Sequence, residues 1–124
     1  LVVAYPYSYK KIGYPRKNLT PDNDILHNIS KAYAMSHPTM SNGQPFCPGT
    51  SVKQKFQDGV VNLAEWNGES LPMVDYSYLM GYGFEVAIFT GCCKAPTTKD
   101  LDKIWMGHKK SLLKFITMVN FIVC

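Results

Sequence analysis

Three histidines and four cysteines are the side chains of this chain best suited to metal or covalent chemistry. Their spacing argues against most of it. Cys47, the adjacent pair Cys92 and Cys93, and Cys124 fit no structural zinc pattern, in which ligands come in pairs about two to four residues apart. His27, His37 and His108 have no ligand spacing and read as surface side chains on helices or in a loop. Two tripeptides, Asn28-Ile29-Ser30 and Asn18-Leu19-Thr20, are glycosylation sequons, with Pro21 standing against use of the second. Sequons and cysteines together point to an oxidising, secretory compartment on the extracellular or lumenal side.

The elements that must position such residues follow from composition and pattern. Of 124 residues, 46% are hydrophobic and 18% charged, which is the composition of a globular domain rather than a disordered segment. The length allows one small domain. The most apolar tail, Phe115 to Cys124, is about half of the roughly 20 residues that a membrane span needs. No leader pattern is expected, because Leu1 opens directly into a β-like run. The net charge of +4 comes from scattered lysines, apart from Lys10-Lys11 and Lys109-Lys110. A nucleic-acid partner is not expected, since no basic stripe with interleaved aromatics is visible.

Leu1-Val2-Val3-Ala4-Tyr5 is apolar and β-rich, the pattern of a buried parallel strand. A loop is expected over Ser8 to Lys17. Thr20-Pro21-Asp22-Asn23-Asp24 opens a helix, with Thr20 as cap and Pro21 in the first turn. Its core face is Ile25, Leu26, Ile29, Ala32 and Tyr33. His37 to Gly59 is turn chemistry, a long loop in need of a tether, for which Cys47 is a candidate. Val60 to Trp66 is a short extended segment, Met73 to Tyr82 a short helix, and Phe84 to Thr90 a second buried strand. A last helix capped by Thr97 or Thr98 carries the apolar stripe Leu101, Ile104, Trp105, Leu112, Leu113, Phe115, Ile116 and Val119. Two buried strands make a poor sheet, so this α/β pattern reads as part of a larger domain.

Three segments resemble zinc metallocarboxypeptidases of the N/E (regulatory) group. Leu1 to Tyr7 is similar to the strand after that family's last zinc-binding histidine. His37-Pro38-Thr39-Met40 with Gly43 to Gly49 resembles its cysteine-bearing loop, and Phe84 to Lys94 its catalytic strand and following turn. Trp66, Asp75-Tyr76-Ser77-Tyr78 and the Trp105 helix support the match. The resemblance implies a three-layer α/β/α fold around a mixed eight-stranded sheet, of which residues 1–124 form the C-terminal portion. It places the family's zinc ligands and carboxylate-binding residues before Leu1, so no cofactor is expected in this segment, although active members hold zinc.

Four family positions are expected inside the segment, and each departs from the active pattern. The glutamate that serves as general base is Phe89 here, a ring with no proton to exchange. The tyrosine that closes over substrate is Asn67. Of two specificity positions for C-terminal Lys or Arg, Ser8 removes the charge partner of a basic side chain and Val74 removes a polar contact. The pair Leu71-Pro72 also stands where the family has Gly-Gly. A shifted register would offer Glu85 as the base, but Gly91-Cys92-Cys93-Lys94 anchors the alignment. The pattern is closest to the third, inactive domain of a multidomain member of the group. The family disulfide maps to Cys47 and Cys92, a bridge worth about 2–4 kcal/mol over a long loop. Cys93 and Cys124 are left for burial.

The expectation is therefore a non-catalytic carboxypeptidase-like module with a structural or peptide- or protein-binding role, completed by the rest of its domain. The competing expectation is part of an active zinc exopeptidase removing C-terminal Lys or Arg.

Overall fold

The apolar opening run becomes the middle strand of a sheet in the computed structural model, which describes residues 1–6, 19–43, 55–66, 73–81 and 83–123, the last three of these as backbone only. Strand β1 (Val2–Tyr5) is buried at every position. It pairs in parallel with β2 (Val60–Asn62), Val3 opposite Val60 and Tyr5 opposite Asn62. On its other side it pairs antiparallel with β3 (Ala87–Phe89), Val2 opposite Phe89 and Ala4 opposite Ala87. The sheet order is β2-β1-β3. A parallel pair cannot be joined by a hairpin and needs a crossover; helix α1 (Asn23–Ser36) supplies it.

Alternation along β1 divides the core in two. Val3 and Tyr5 face a cluster with Leu26, Tyr33, Ala34, Met40 and Val60, against which Leu112 and Phe115 of helix α4 (Thr98–Val123) also pack. Val2 and Ala4 face the opposite way, onto Phe56, Val61, Leu63 and Val74. Two short helices lie on this second side: α2 (Leu63–Trp66) and α3 (Met73–Gly81). The result is a mixed α/β arrangement with helices flanking a three-stranded mixed sheet, consistent with the fold expected from sequence.

Several details differ. Helix α1 begins at Asn23, later than the Thr20 cap implies, because Thr20 closes a turn in which its carbonyl accepts from the Asn23 amide at 3.1 Å. Asp22 takes the capping position without a side-chain cap bond and instead accepts from the Tyr78 hydroxyl at 2.8 Å, tying α3 to the start of α1. Ser30 and Ala34 are buried, whereas Ile25 and Ala32 are only partly covered. The stripe expected on α4 is split. Ile104, Leu112, Phe115 and Val119 are half-buried, while Leu101, Trp105, Leu113 and Ile116 are exposed. The innermost residues of α4 are polar, His108 and Ser111.

Two glycines hold the loop that separates α1 from β2. Gly43 and Gly59 both have left-handed backbones, φ +65° and +72°. A Cβ on Gly43 would lie 1.9 Å from the Phe56 carbonyl oxygen, and one on Gly59 would lie 2.3 Å from that of Met40. The Phe56 amide donates to the Gly43 carbonyl at 2.7 Å. Only residues without a Cβ permit this approach.

Candidate functional site

Helix α2, helix α3 and strand β3 together wall a cavity of about 540 Å³ on the second face of the sheet. Leu63, Trp66, Met73, Val74, Ala87 and Phe89 line it, and Glu85 is the one charged residue among its described lining residues. Alternation explains the last three: Glu85, Ala87 and Phe89 point to one side because strand side chains repeat every second residue. Trp66 enters from the end of α2 and meets the Phe89 ring edge-on, centroids 4.8 Å apart and planes at 79°. Behind it Phe56 meets Trp66 in the same manner at 5.4 Å. Edge-to-face geometry suits the aromatic quadrupoles and holds the three rings in order.

The chemistry open to this cleft follows from its residues. Phe89, 40% exposed at the edge of the sheet, neither gives nor takes a proton. Val74 is 3% exposed and belongs to the core beneath the cleft; it offers no polar atom to a ligand. Glu85 is the only described lining residue able to exchange a proton, and its carboxylate already accepts from the Ser77 hydroxyl. The described lining of the cleft is thus mostly apolar. Among the described residues no three His, Cys, Asp or Glu side chains gather as a metal-holding group.

The remaining candidate residues are distributed as follows. Asn67, Ser8, Cys47 and Asn18 lie outside the described residues. Asn28 is exposed on α1, two positions before the fully buried Ser30. Cys92 is disulfide-bonded, and its partner is not among the described residues. Cys93 was assigned to burial but is an exposed free thiol. It follows the short strand β3 at a surface turn, where no element covers it.

The histidines also correct the sequence reading. His37 is 8% and His108 4% exposed, so two of the three supposed surface histidines are interior. His27 fits the surface reading better, half-buried with its ring edge-on to Tyr5. Burial pushes the pKa of both His37 and His108 below the ordinary histidine value. Pattern reading missed them because an imidazole on an apolar helix face has no periodic signature of its own.

A second cavity, of about 420 Å³, opens between α1 and β2 beside Tyr5. It is more polar, bordered by His27, Lys31, Asp58 and Glu65. The Lys31 ammonium contacts the Asp58 carboxylate at 2.7 Å across it, with both side chains substantially exposed. Burial, and then the nearby Glu65 carboxylate, push the Tyr5 phenol pKa up, so that group stays protonated. No described helix is long and apolar enough to cross a membrane.

Comparison with known proteins adds the following. A family model described as zinc carboxypeptidase matches residues 1–111. Carboxypeptidase D of Anas platyrhynchos is 36% identical across 97% of this chain, which corresponds to 9% of that protein. Carboxypeptidase D of Homo sapiens is 34% identical with the same shares covered. Carboxypeptidase Z of Gallus gallus is 37% identical across 97% of this chain and 18% of its own length. The chain therefore spans less than a fifth of each of these relatives.

Proposed function

The chain belongs to the zinc carboxypeptidase family, and on that premise we propose that it is a non-catalytic portion of a carboxypeptidase domain with a structural or peptide- or protein-binding role. The observation that carries this reading is the Phe89 ring packed edge-on against Trp66 in an apolar cleft, at the position where the family resemblance expects a glutamate. A general base must reach a proton within hydrogen-bond distance, and a phenyl ring fills that place with carbon. Val74 supports the same reading, since a buried valine supplies none of the polar contact that a basic side chain needs.

The module is completed by the rest of its domain, which carries any zinc ligands. It belongs in the secretory pathway, on the extracellular or lumenal side, with glycans at Asn28 and Asn18 and a disulfide between Cys47 and Cys92. Its pattern resembles that of the third, inactive domain of carboxypeptidase D. Ligands of the cleft are apolar peptide or protein segments rather than C-terminal Lys or Arg.

A second reading has one observation in its favour: Glu85 lines the same cavity as Phe89. In that reading the whole domain is a zinc exopeptidase, removing C-terminal Lys or Arg, with Glu85 as its base. Hydrolysis of dansylated peptides ending in Arg or Lys by the full-length domain, with and without Glu85→Gln, separates the two. No metal-dependent turnover in either protein is expected. Turnover that Glu85→Gln abolishes would establish the second reading and overturn the first. Calorimetric titration of peptides with apolar or basic C-termini then reads binding separately, with heat expected only from the apolar series.

A further inference from the structure

The buried histidines on the other face of the sheet take no part in the cleft, and their geometry has a consequence of its own. His37 follows the last residue of α1, and its Nδ1 accepts from the backbone amides of Thr39 at 3.2 Å and Met40 at 3.1 Å. A nitrogen that accepts two hydrogen bonds carries no proton, so this ring is neutral with its hydrogen on Nε2. Helix α4 presses directly on it at Gly107, where a Cβ would come 2.9 Å from His37 Nε2. One residue further along α4, the His108 ring stands 4.5 Å from that of His37, centroid to centroid. His108 Nδ1 shares a hydrogen bond with the Tyr33 hydroxyl of α1 at 2.9 Å. Its Nε2 is buried and makes no hydrogen bond of good geometry, although the Thr90 backbone acts on the ring.

We propose that His37 and His108 form an acid-sensitive latch between α1 and α4, closed while both rings are neutral and opened when a proton enters. Protonating His37 at Nδ1 points a new N–H at two amide donors, and both bonds are lost. Protonating both rings places two cations in contact in a site closed to water. The groups that face the pair offer little compensation. From α1 there is the neutral Tyr33 hydroxyl, held protonated because burial raises its pKa. From the turn after α1 there are the two amide donors. From beyond β3 the Thr90 backbone favours a charged His108 but is outweighed by burial. Lys109 and Lys110, exposed on α4 beside His108, add no negative charge, and among the described residues no carboxylate acts on either ring.

The direction in pH follows. Both rings are held below their ordinary value of 6.5, so between the folded and unfolded values the unfolded state binds more protons. Stability is full above about pH 6.5 and falls as the pH drops through that value, by up to about tenfold in the folding constant per pH unit for each excluded proton. The test is hydrogen–deuterium exchange of the full-length domain across this range, corrected for intrinsic exchange, with His37→Asn as the key variant. The asparagine oxygen can accept the same two amides but does not titrate. In the parent, protection of α4 is expected to fall about tenfold or more per pH unit below 6.5, and in His37→Asn by no more than half that slope on a logarithmic scale. Equal slopes in the two proteins overturn the latch. Should the variant fail to fold, NMR titration of the parent's imidazole carbons decides: loss of α4 protection as the rings protonate supports it, and rings that protonate at or above 6.5 with α4 still protected overturn it.

Discussion

The two faces of the sheet bury comparable elements by different means. On the face of α1 and α4, large apolar side chains close around a polar centre of Tyr33, His37 and His108, in which the Tyr33–His108 hydrogen bond joins α1 to α4 and His37 accepts from the turn after α1. On the face of α2 and α3, a second apolar cluster lies beside the fully buried Asp75 of α3, and it opens into a cleft where Trp66 and Phe89 remain partly exposed. The histidine pair is buried between helices, whereas the Trp66–Phe89 contact borders an open cleft. A buried polar group fixes its neighbours because misplacement leaves it unsatisfied. Aromatic contacts tolerate a range of positions, which suits a surface left free to meet something else.

Truncations of matching severity on the two faces sharpen that contrast. Leu26, fully buried in α1, should lose about 2–5 kcal/mol as Leu26→Ala, by lost transfer energy and the cavity left behind. Phe89→Ala should cost only about 0.5–1.5 kcal/mol, the scale of its ring contact with Trp66. Chemical denaturation of the full-length domain measures both, and equal losses would erase the distinction between a buried position and one at the open cleft. Gly43→Ala, in the loop clamp that serves both faces, should destabilise by about 3 kcal/mol, from left-handed strain and collision with the Phe56 carbonyl. Thermal melting should show the same midpoint shift for probes on either face.

Smaller effects discriminate more finely. Tyr33→Phe removes the partner of His108 Nδ1 and should cost about 1–3 kcal/mol, the penalty of a buried group left unsatisfied. A loss no larger than that of Phe89→Ala would mean that the polar centre does not fix the helix pair. Lys31→Ala breaks an ion pair whose side chains are 42% and 37% exposed, and should change stability by less than about 1 kcal/mol. A larger change would make the polar cavity beside Tyr5 part of the stabilising framework.

How far each face could be read from sequence follows the same division. The β1 run, α1, α3 and α4 were legible because apolar spacing and turn residues mark them directly. The antiparallel entry of β3 was not, because a short apolar run carries no sign of strand direction. The cleft was legible only through resemblance: nothing in the spacing of Trp66 and Phe89 brings them together, and only the fold places α2 over β3. The histidine pair was misread for a related reason. His37 and His108 are far apart in sequence, and their burial depends on Gly107 admitting the close approach of α4. Half of the α4 stripe is exposed, which a helical period alone cannot reveal, since it identifies an apolar face without saying how much of it is covered.

We propose that Phe89 occupies the place of a catalytic base in a cleft without catalysis. The most direct test of this is the rate of dansyl-peptide hydrolysis by the full-length domain in zinc, parent against Phe89→Glu. The account predicts a parent at background and a variant at or above it. A parent that turns over substrate, slowed by the glutamate, would contradict it.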